Sequence, residues 1–195
     1  MILPIYLYGN PILRKKSEDI DKNYPDIKQL IDNMFETMYH SNGVGLAAPQ
    51  IGKSIRLFVV DGTELGEDYP DCKDFKLAFI NPEIVEESED NAVYSEGCLS
   101  LPGISENVVR PKTITIHYYD EDFQEHEEQY TDFRARIIQH EYDHLEGHVF
   151  TDRISPIRRQ FVKTKLTNIE DVKKETPTTV GDDLTVVLSK EYNFE

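Results

Sequence analysis

No stretch of this chain approaches the ~20 consecutive apolar residues that a bilayer span requires, so no membrane segment is expected. The apolar opening from Met1 to Tyr8 lacks a basic leader, a long apolar core and a small-residue cleavage site, which argues against export and for a cytoplasmic protein. Cysteine is scarce too. Cys72 and Cys98 allow one disulfide at most, and in a reducing compartment at least one thiol is free. Positive charge is the third shortage. With 21 Lys and Arg against 37 Asp and Glu, the formal net charge of −16 disfavours nucleic acid, sequence-specific or general, and anionic membrane as partners. One segment runs against this balance: from Arg153 to Leu166 the chain holds Arg153, Arg158, Arg159, Lys163 and Lys165 without an acidic residue. It fits either a solvated helix face or a binding surface.

What is present is an ordinary globular composition, 38% hydrophobic and 30% charged over 195 residues, enough for one domain with a proper core. Ile2 to Ile5 reads as extended or strand-like, and Gly9-Asn10-Pro11 as a turn. From Tyr24 to His40, the apolar positions Ile27, Leu30, Ile31, Met34, Phe35 and Met38 recur at helical spacing, and Ser41-Asn42-Gly43 is a natural stop. The glycine- and alanine-rich run Gly43 to Gly52 is too small-sided for an ordinary strand. Strands are expected over Arg56 to Asp61, over Lys76 to Val85 with an end near Asn81-Pro82, and over Val108 to Tyr119. Between the first two, Gly62 to Asp74 is a polar, acidic loop in which Cys72 has no ligand-spaced neighbour and is read as incidental. Asp120-Glu121-Asp122 is a hairpin turn with a return strand from Gln124 to Tyr130. Thr131 or Asp132 is the expected cap of a helix that stops at Gly147, and Ser155-Pro156 opens a final helix. Beyond Leu166 the chain turns polar. Thr176 to Thr179 reads as a loop, and Leu184 to Leu188 as a short strand.

The chemistry centres on His140-Glu141-Tyr142-Asp143-His144, an H-E-x-x-H pattern in a helical run. Residues four apart lie on one helix face, so His140 and His144 can aim two imidazoles at one ion. Glu141 is turned by roughly 100° around the axis, outside the ligand set but placed to act on a water as general base. Phe133 and Ile137 share the histidine face. The same five residues also fit a charged surface helix, and the pattern alone leaves both readings open. Two histidines leave a divalent ion under-coordinated. The extended protease pattern would place a third histidine at 150, where this chain has Phe150. His148 follows the helix-breaking Gly147 and reads as a surface or packing residue, and Glu170 and Glu175 lie in the polar tail. Cys98 is the better third ligand, because a thiolate binds zinc or iron well and Glu96 to Pro102 has the small residues and turn signals of an exposed strand end.

Taken together, Gly43-Val44-Gly45-Leu46-Ala47-Ala48-Pro49-Gln50, Glu96-Gly97-Cys98-Leu99-Ser100 and Gln139-His140-Glu141-Tyr142-Asp143-His144 stand in an order that resembles the peptide deformylase family. Asn10-Pro11-Ile12-Leu13-Arg14 is similar to that family's N-terminal signature. The resemblance implies an α+β fold, with antiparallel or mixed sheets packed around a central H-E-x-x-H helix. It also implies a catalytic domain over residues 1–166, with a C-terminal extension over 167–195. The implied activity is metal-dependent removal of the formyl group from N-formylmethionyl peptides in newly synthesised proteins, releasing formate. Cys98, His140 and His144 are implied as metal ligands, Glu141 as base, and the Gln50 amide and Leu99 N–H as oxyanion donors. Val44, Gly45, Phe133 and Ile137 are implied as substrate contacts. The implied cofactor is one divalent ion, Fe2+ in the cell, with Zn2+ or Ni2+ in purified protein. Glu96 and Arg110 are expected to pair and orient a ligand. In some relatives a basic C-terminal helix docks on the ribosome, which gives Arg153 to Lys165 a candidate partner. Three features depart from the pattern: many members have glycine where this chain has Asp132, the Gly62 to Asp74 loop is long, and the tail beyond Leu166 matches none of the family's motifs.

A zinc endopeptidase and a non-catalytic, metal-stabilised interaction module are the competing readings. The first would need the absent third histidine or a glutamate from the tail, and the second a closed fourth ligand position.

Overall fold

The structure, a computed structural model, describes residues 1–175. Helix α1 spans Ile27–His40 and buries Ile27, Leu30, Ile31, Met34 and Met38, the periodic positions read from sequence, apart from the half-buried Phe35. It starts three residues later than the pattern suggests because Pro25 disfavours helical backbone at Tyr24 and Asp26 takes a left-handed φ of 53°. It ends where expected. Asn42 turns left-handed and the Gly43 N–H reaches back to the Met38 carbonyl at 2.9 Å.

Five strands form an antiparallel sheet in the order β1 (Gly45–Ala47), β2 (Leu57–Asp61), β3 (Lys76–Glu87), β6 (Thr113–Tyr119), β7 (Glu125–Thr131). A separate hairpin pairs β4 (Asn91–Cys98) with β5 (Leu101–Pro111). Three expectations change here. Gly45–Ala47 does form a strand, short and at the sheet edge, its three residues paired to Phe58, Val59 and Val60. Strand β3 does not stop at Asn81-Pro82 but passes through it by a register shift between Ile80 and Glu83. Asn81 adopts a φ of 49° there, and its side chain exchanges hydrogen bonds with the backbone of Ile20 at 2.9 and 2.7 Å, so the irregular backbone is held from outside the strand. The expected strand from Val108 to Tyr119 is two strands in two sheets, broken at Pro111-Lys112, where the chain crosses from the hairpin to the large sheet.

Helix α2 spans Asp132–Leu145, and neither proposed residue caps it by its side chain. The Thr131 hydroxyl is shared with Thr113 at 2.9 Å instead, and Asp132 itself takes a φ of 53°. At the other end Gly147 has a φ of 78°, and the N–H of His148 returns to the Asp143 carbonyl at 2.9 Å, closing the helix as expected. Helix α3, Pro156–Glu175, opens at Ser155-Pro156 and continues through Leu166, with Ile169 buried one turn beyond it. Thr176 to Thr179 and Leu184 to Leu188 lie outside the described residues.

The large sheet is covered on both faces. On one, α1 packs on Leu57, Val59, Ala78 and Ile80; on the other, Phe133, Ile137 and Ile138 of α2 meet Phe58, Val60, Phe79 and Ile116. A third cluster joins Cys98, Leu101 and Ile104 of the hairpin to Val162, Leu166 and Ile169 of α3. Helix α2 thus lies between the sheet and the hairpin, the α+β arrangement expected. The 62–74 loop is not peripheral. It holds two short 3₁₀ turns, Thr63–Leu65 and Pro70–Cys72, and Cys72 is fully buried beside Gly62, where burial pushes its thiol up to about 12. Cys72 is a core residue, which its sequence neighbours alone did not indicate.

Candidate active site

Helix α2 buries six polar residues, Arg136, Gln139, His140, Glu141, Asp143 and His144, alongside its apolar ones. Such burial is tolerated only where every group finds a partner or a ligand. His140 and His144 lie one turn apart, and strand β4 brings in Cys98 where its register breaks after Gly97. The ligand atoms of Cys98, His140 and His144 all lie within 4.8 Å of one another, with Cys98 Sγ 3.4 Å from His144 Nε2. Cys98 is buried rather than at an exposed strand end.

The donor set fits a divalent metal. His140 Nδ1 faces Glu96 Oε1 at 2.8 Å, which leaves Nε2 as its ligand nitrogen. His144 Nδ1 is buried with no hydrogen-bond partner among the described residues, and so is Glu141 Oε2. Burial drops the His144 imidazole to about 3, so it sits neutral, as a ligand must. For His140, burial alone would depress protonation, but hydrogen bonds to Cys98 and Glu96 outweigh it and raise the pKa. Burial pushes Glu141 up to about 7 against the opposing charge of His140.

The Glu96–Arg110 pair expected from sequence is bidentate, Nε to Oε2 at 2.7 Å and Nη2 to Oε1 at 2.9 Å. Burial would raise the Glu96 pKa, yet Arg110 and His140 hold it well below the usual carboxylate range. The network goes further than sequence reasoning reached. Arg110 Nη1 donates to Asp143 at 2.7 Å, Arg153 grips the same Asp143 at 2.6 and 2.7 Å, and Arg136 donates to Glu96 at 2.6 Å. One signal was available for Arg136: it lies four residues before His140, on the ligand face.

Gln50 is held by the Ala47 N–H, which donates to Oε1 at 2.9 Å, so its Nε2 points at Ser100 Oγ (3.1 Å) and Cys98 Sγ (3.5 Å). The glycines of the first motif permit close approach. A Cβ on Gly45 would stand 2.8 Å from Glu141 Cγ and Cδ, and one on Gly43 would stand 2.8 Å from Leu99 Cδ1. Val44, Phe133 and Ile137 gather in one cluster, joined by two residues the sequence did not single out: Tyr69 stacks on Phe133 at 4.0 Å, and Tyr94 meets it edge-on at 5.3 Å. His148 is an exposed residue near Asp152, as read. Phe150, at the position of the missing histidine, packs against His140 with ring centroids 6.0 Å apart.

A family model, Polypeptide deformylase, matches residues 2–160. A curated peptide deformylase of Christiangramia forsetii is 47% identical over 89% of this chain and 92% of its own length, and one of Salinibacter ruber is 43% identical over 95% and 98%. Among solved structures, a peptide deformylase from Plasmodium falciparum superposes with a TM-score of 0.80 at 36% identity, covering 89% of this chain and 98% of that one. One from Thermotoga maritima superposes at 0.72 and 41%, covering 80% and 99%. The matched region contains β1, the hairpin bearing Cys98 and the helix bearing both histidines, and the chain belongs to the peptide deformylase family, hydrolases that remove the formyl group from a polypeptide N-terminus.

Proposed function

We propose that the deformylase reaction is divided among these residues as follows. Cys98, His140 and His144 hold one divalent ion, and Glu141 handles the proton. The observation that carries this reading is the convergence of three ligand atoms within 4.8 Å beside a buried carboxylate one oxygen of which has no hydrogen-bond partner among the described residues. A bound ion supplies Lewis acidity and lowers the pKa of a water that reaches it. Glu141 takes a proton from the attacking water, whose oxygen bonds to the formyl carbon. The Gln50 amide and the Leu99 N–H stabilise negative charge on the formyl oxygen. Glu141 then returns the proton to the departing amine as the C–N bond breaks, which leaves formate and a free N-terminal methionine. The substrate backbone extends along the free edge of β1, and the methionine side chain enters among Val44, Phe133 and Ile137, with Gly45 leaving room for Glu141.

Two nitrogens and a thiolate suit several metals. We assign Fe2+ in the cell, with Zn2+ or Ni2+ taken up in purified protein. Elemental analysis after anaerobic isolation tests this, and zinc alone at full activity would reject it. The substrates are N-formylmethionyl nascent peptides in the cytoplasm, and no helix among the described residues is long and apolar enough to cross a membrane. The catalytic unit is residues 1–166, and 167–195 extends it. The ribosome is the proposed partner of Arg153 to Lys165. Arg153 and Arg158 are paired within the fold, to Asp143 and Glu106, so the contact falls to exposed Arg159, Lys163 and Lys165. Charge reversal at all three should weaken salt-sensitive ribosome binding, and unchanged binding would remove that partner.

The central test is Glu141→Gln. It should lower kcat on a formyl-Met peptide by roughly 10²–10⁴-fold with metal content retained. Turnover near the parental rate would reject Glu141 as the base.

A further inference from the structure

Arg136 is almost wholly buried and touches two parts of the site at once. Its Nη1 donates to Glu96 Oε2 at 2.6 Å and to the Val108 carbonyl at 3.0 Å, and its Nη2 donates to the Ala92 carbonyl at 2.8 Å. Glu96, with its other oxygen, holds Nδ1 of His140. The Cζ of the same guanidinium lies over the ring of Tyr94, 5.1 Å from its centre. Tyr94 in turn stands edge-on to Phe133 and, with centroids 6.3 Å apart, to Tyr69 of the 62–74 loop, whose ring stacks on Phe133. The Glu96 charge is already met by a bidentate Arg110, so a second arginine is not needed for neutrality. What Arg136 adds is geometry: a rigid fork that fixes Glu96 and both hairpin strands against α2, and a flat face that fixes Tyr94.

We propose that Arg136 is a positioning residue that couples the metal ligand His140, through Glu96, to the aromatic wall of the methionine pocket, through Tyr94. A point-charge lysine can replace the bond to Glu96 but not the flat face on Tyr94. The two arms are therefore separable by substitution. The inference rests on the metal-ligand assignment proposed above for its first arm and on the pocket assignment for its second; the first is read by metal retention and needs no substrate.

The experiment uses the metal-loaded protein and three variants, Arg136→Met, Arg136→Lys and Tyr94→Leu. Two quantities are read: the rate at which a chelator strips the metal, and the ratio of kcat/KM for a formyl-Met peptide over a formyl-Ala peptide. Arg136→Met should weaken metal retention by roughly 10–100-fold, the usual range for loss of a ligand-orienting partner. It should also lower the selectivity ratio by about 10-fold. Arg136→Lys should restore metal retention to within a few-fold of the parent but not the selectivity. Tyr94→Leu should lower selectivity alone. A residue that merely cross-links the hairpin to α2 would lower the melting temperature and leave both quantities at parental values, and that result overturns the proposal. If Arg136→Met does not fold, the other two variants decide: selectivity unchanged in both overturns it.

Discussion

Helices α1 and α2 are both fourteen residues long, but α1 is buried on one side and α2 nearly all round, and they are built on opposite principles. The buried face of α1 is apolar except for Thr37, whose hydroxyl donates to the Asn33 carbonyl within the same helix and accepts from the Leu3 N–H. That of α2 carries two histidines, two acids, an arginine and a glutamine, and its charged partners come from other elements: Glu96 on β4, Arg110 on β5, Arg153 beyond the helix. The apolar helix is stabilised by area removed from water, a non-directional term that accepts any well-fitting neighbour. On the polar helix Arg136, His140 and Asp143 are paired, and a paired buried charge fixes orientation, while Glu141 Oε2 and His144 Nδ1 have no hydrogen-bond partner among the described residues. One helix holds the sheet; the other holds a reactive geometry.

Substitutions should separate the two. Arg110→Ala removes three charge-assisted hydrogen bonds from Glu96 and Asp143, leaving them Arg136 and Arg153 respectively, and should cost about 3–5 kcal/mol in stability, with metal lost as His140 is released. Chemical denaturation with metal analysis on the same sample checks both. Met34→Ala in α1, where the side chain is fully buried, should cost about 2–5 kcal/mol of stability yet leave kcat unchanged below the melting transition. If that variant lost metal instead, the contrast between the helices would fail. Gly45→Ala tests the approach of β1 to α2: the added methyl must displace Glu141, and kcat should fall by about 100-fold with metal intact. Parental turnover would show that the carboxylate has room to spare. The smallest effect is expected at the start of α2. Asp132→Gly relieves the left-handed backbone at a φ of 53° and should stabilise by about 1 kcal/mol without changing turnover. A lowered melting temperature would mean that the exposed pair with Lys112, 3.7 Å apart, outweighs the strain.

The same contrast explains what could be read from the chain. Helix α1 was legible from periodicity because its environment is uniform, and the stops at Asn42 and Gly147 were legible because left-handed backbone selects few residues. His140, Glu141 and His144 were legible because their spacing is local. Cys98 needed an argument from coordination chemistry, and its burial was not visible. Arg136, Asp143 and Arg153 escaped because a buried ion pair is defined by both partners, which here lie 10 to 40 residues apart in sequence. The break at Pro111-Lys112 was missed because alternation in Ile114 and Ile116 continues the pattern of Val108 while the strand changes sheets. The passage of β3 through Pro82 depends on Asn81 reaching Ile20, sixty-one residues away.

The claim on which the rest stands is that one thiolate from the hairpin and two imidazoles from α2 share a single ion. X-ray absorption at the zinc edge of the zinc-loaded protein addresses it directly. The account predicts one sulfur at about 2.3 Å and two imidazole nitrogens at about 2.0–2.1 Å. A shell of nitrogen and oxygen alone, with no sulfur, would contradict it.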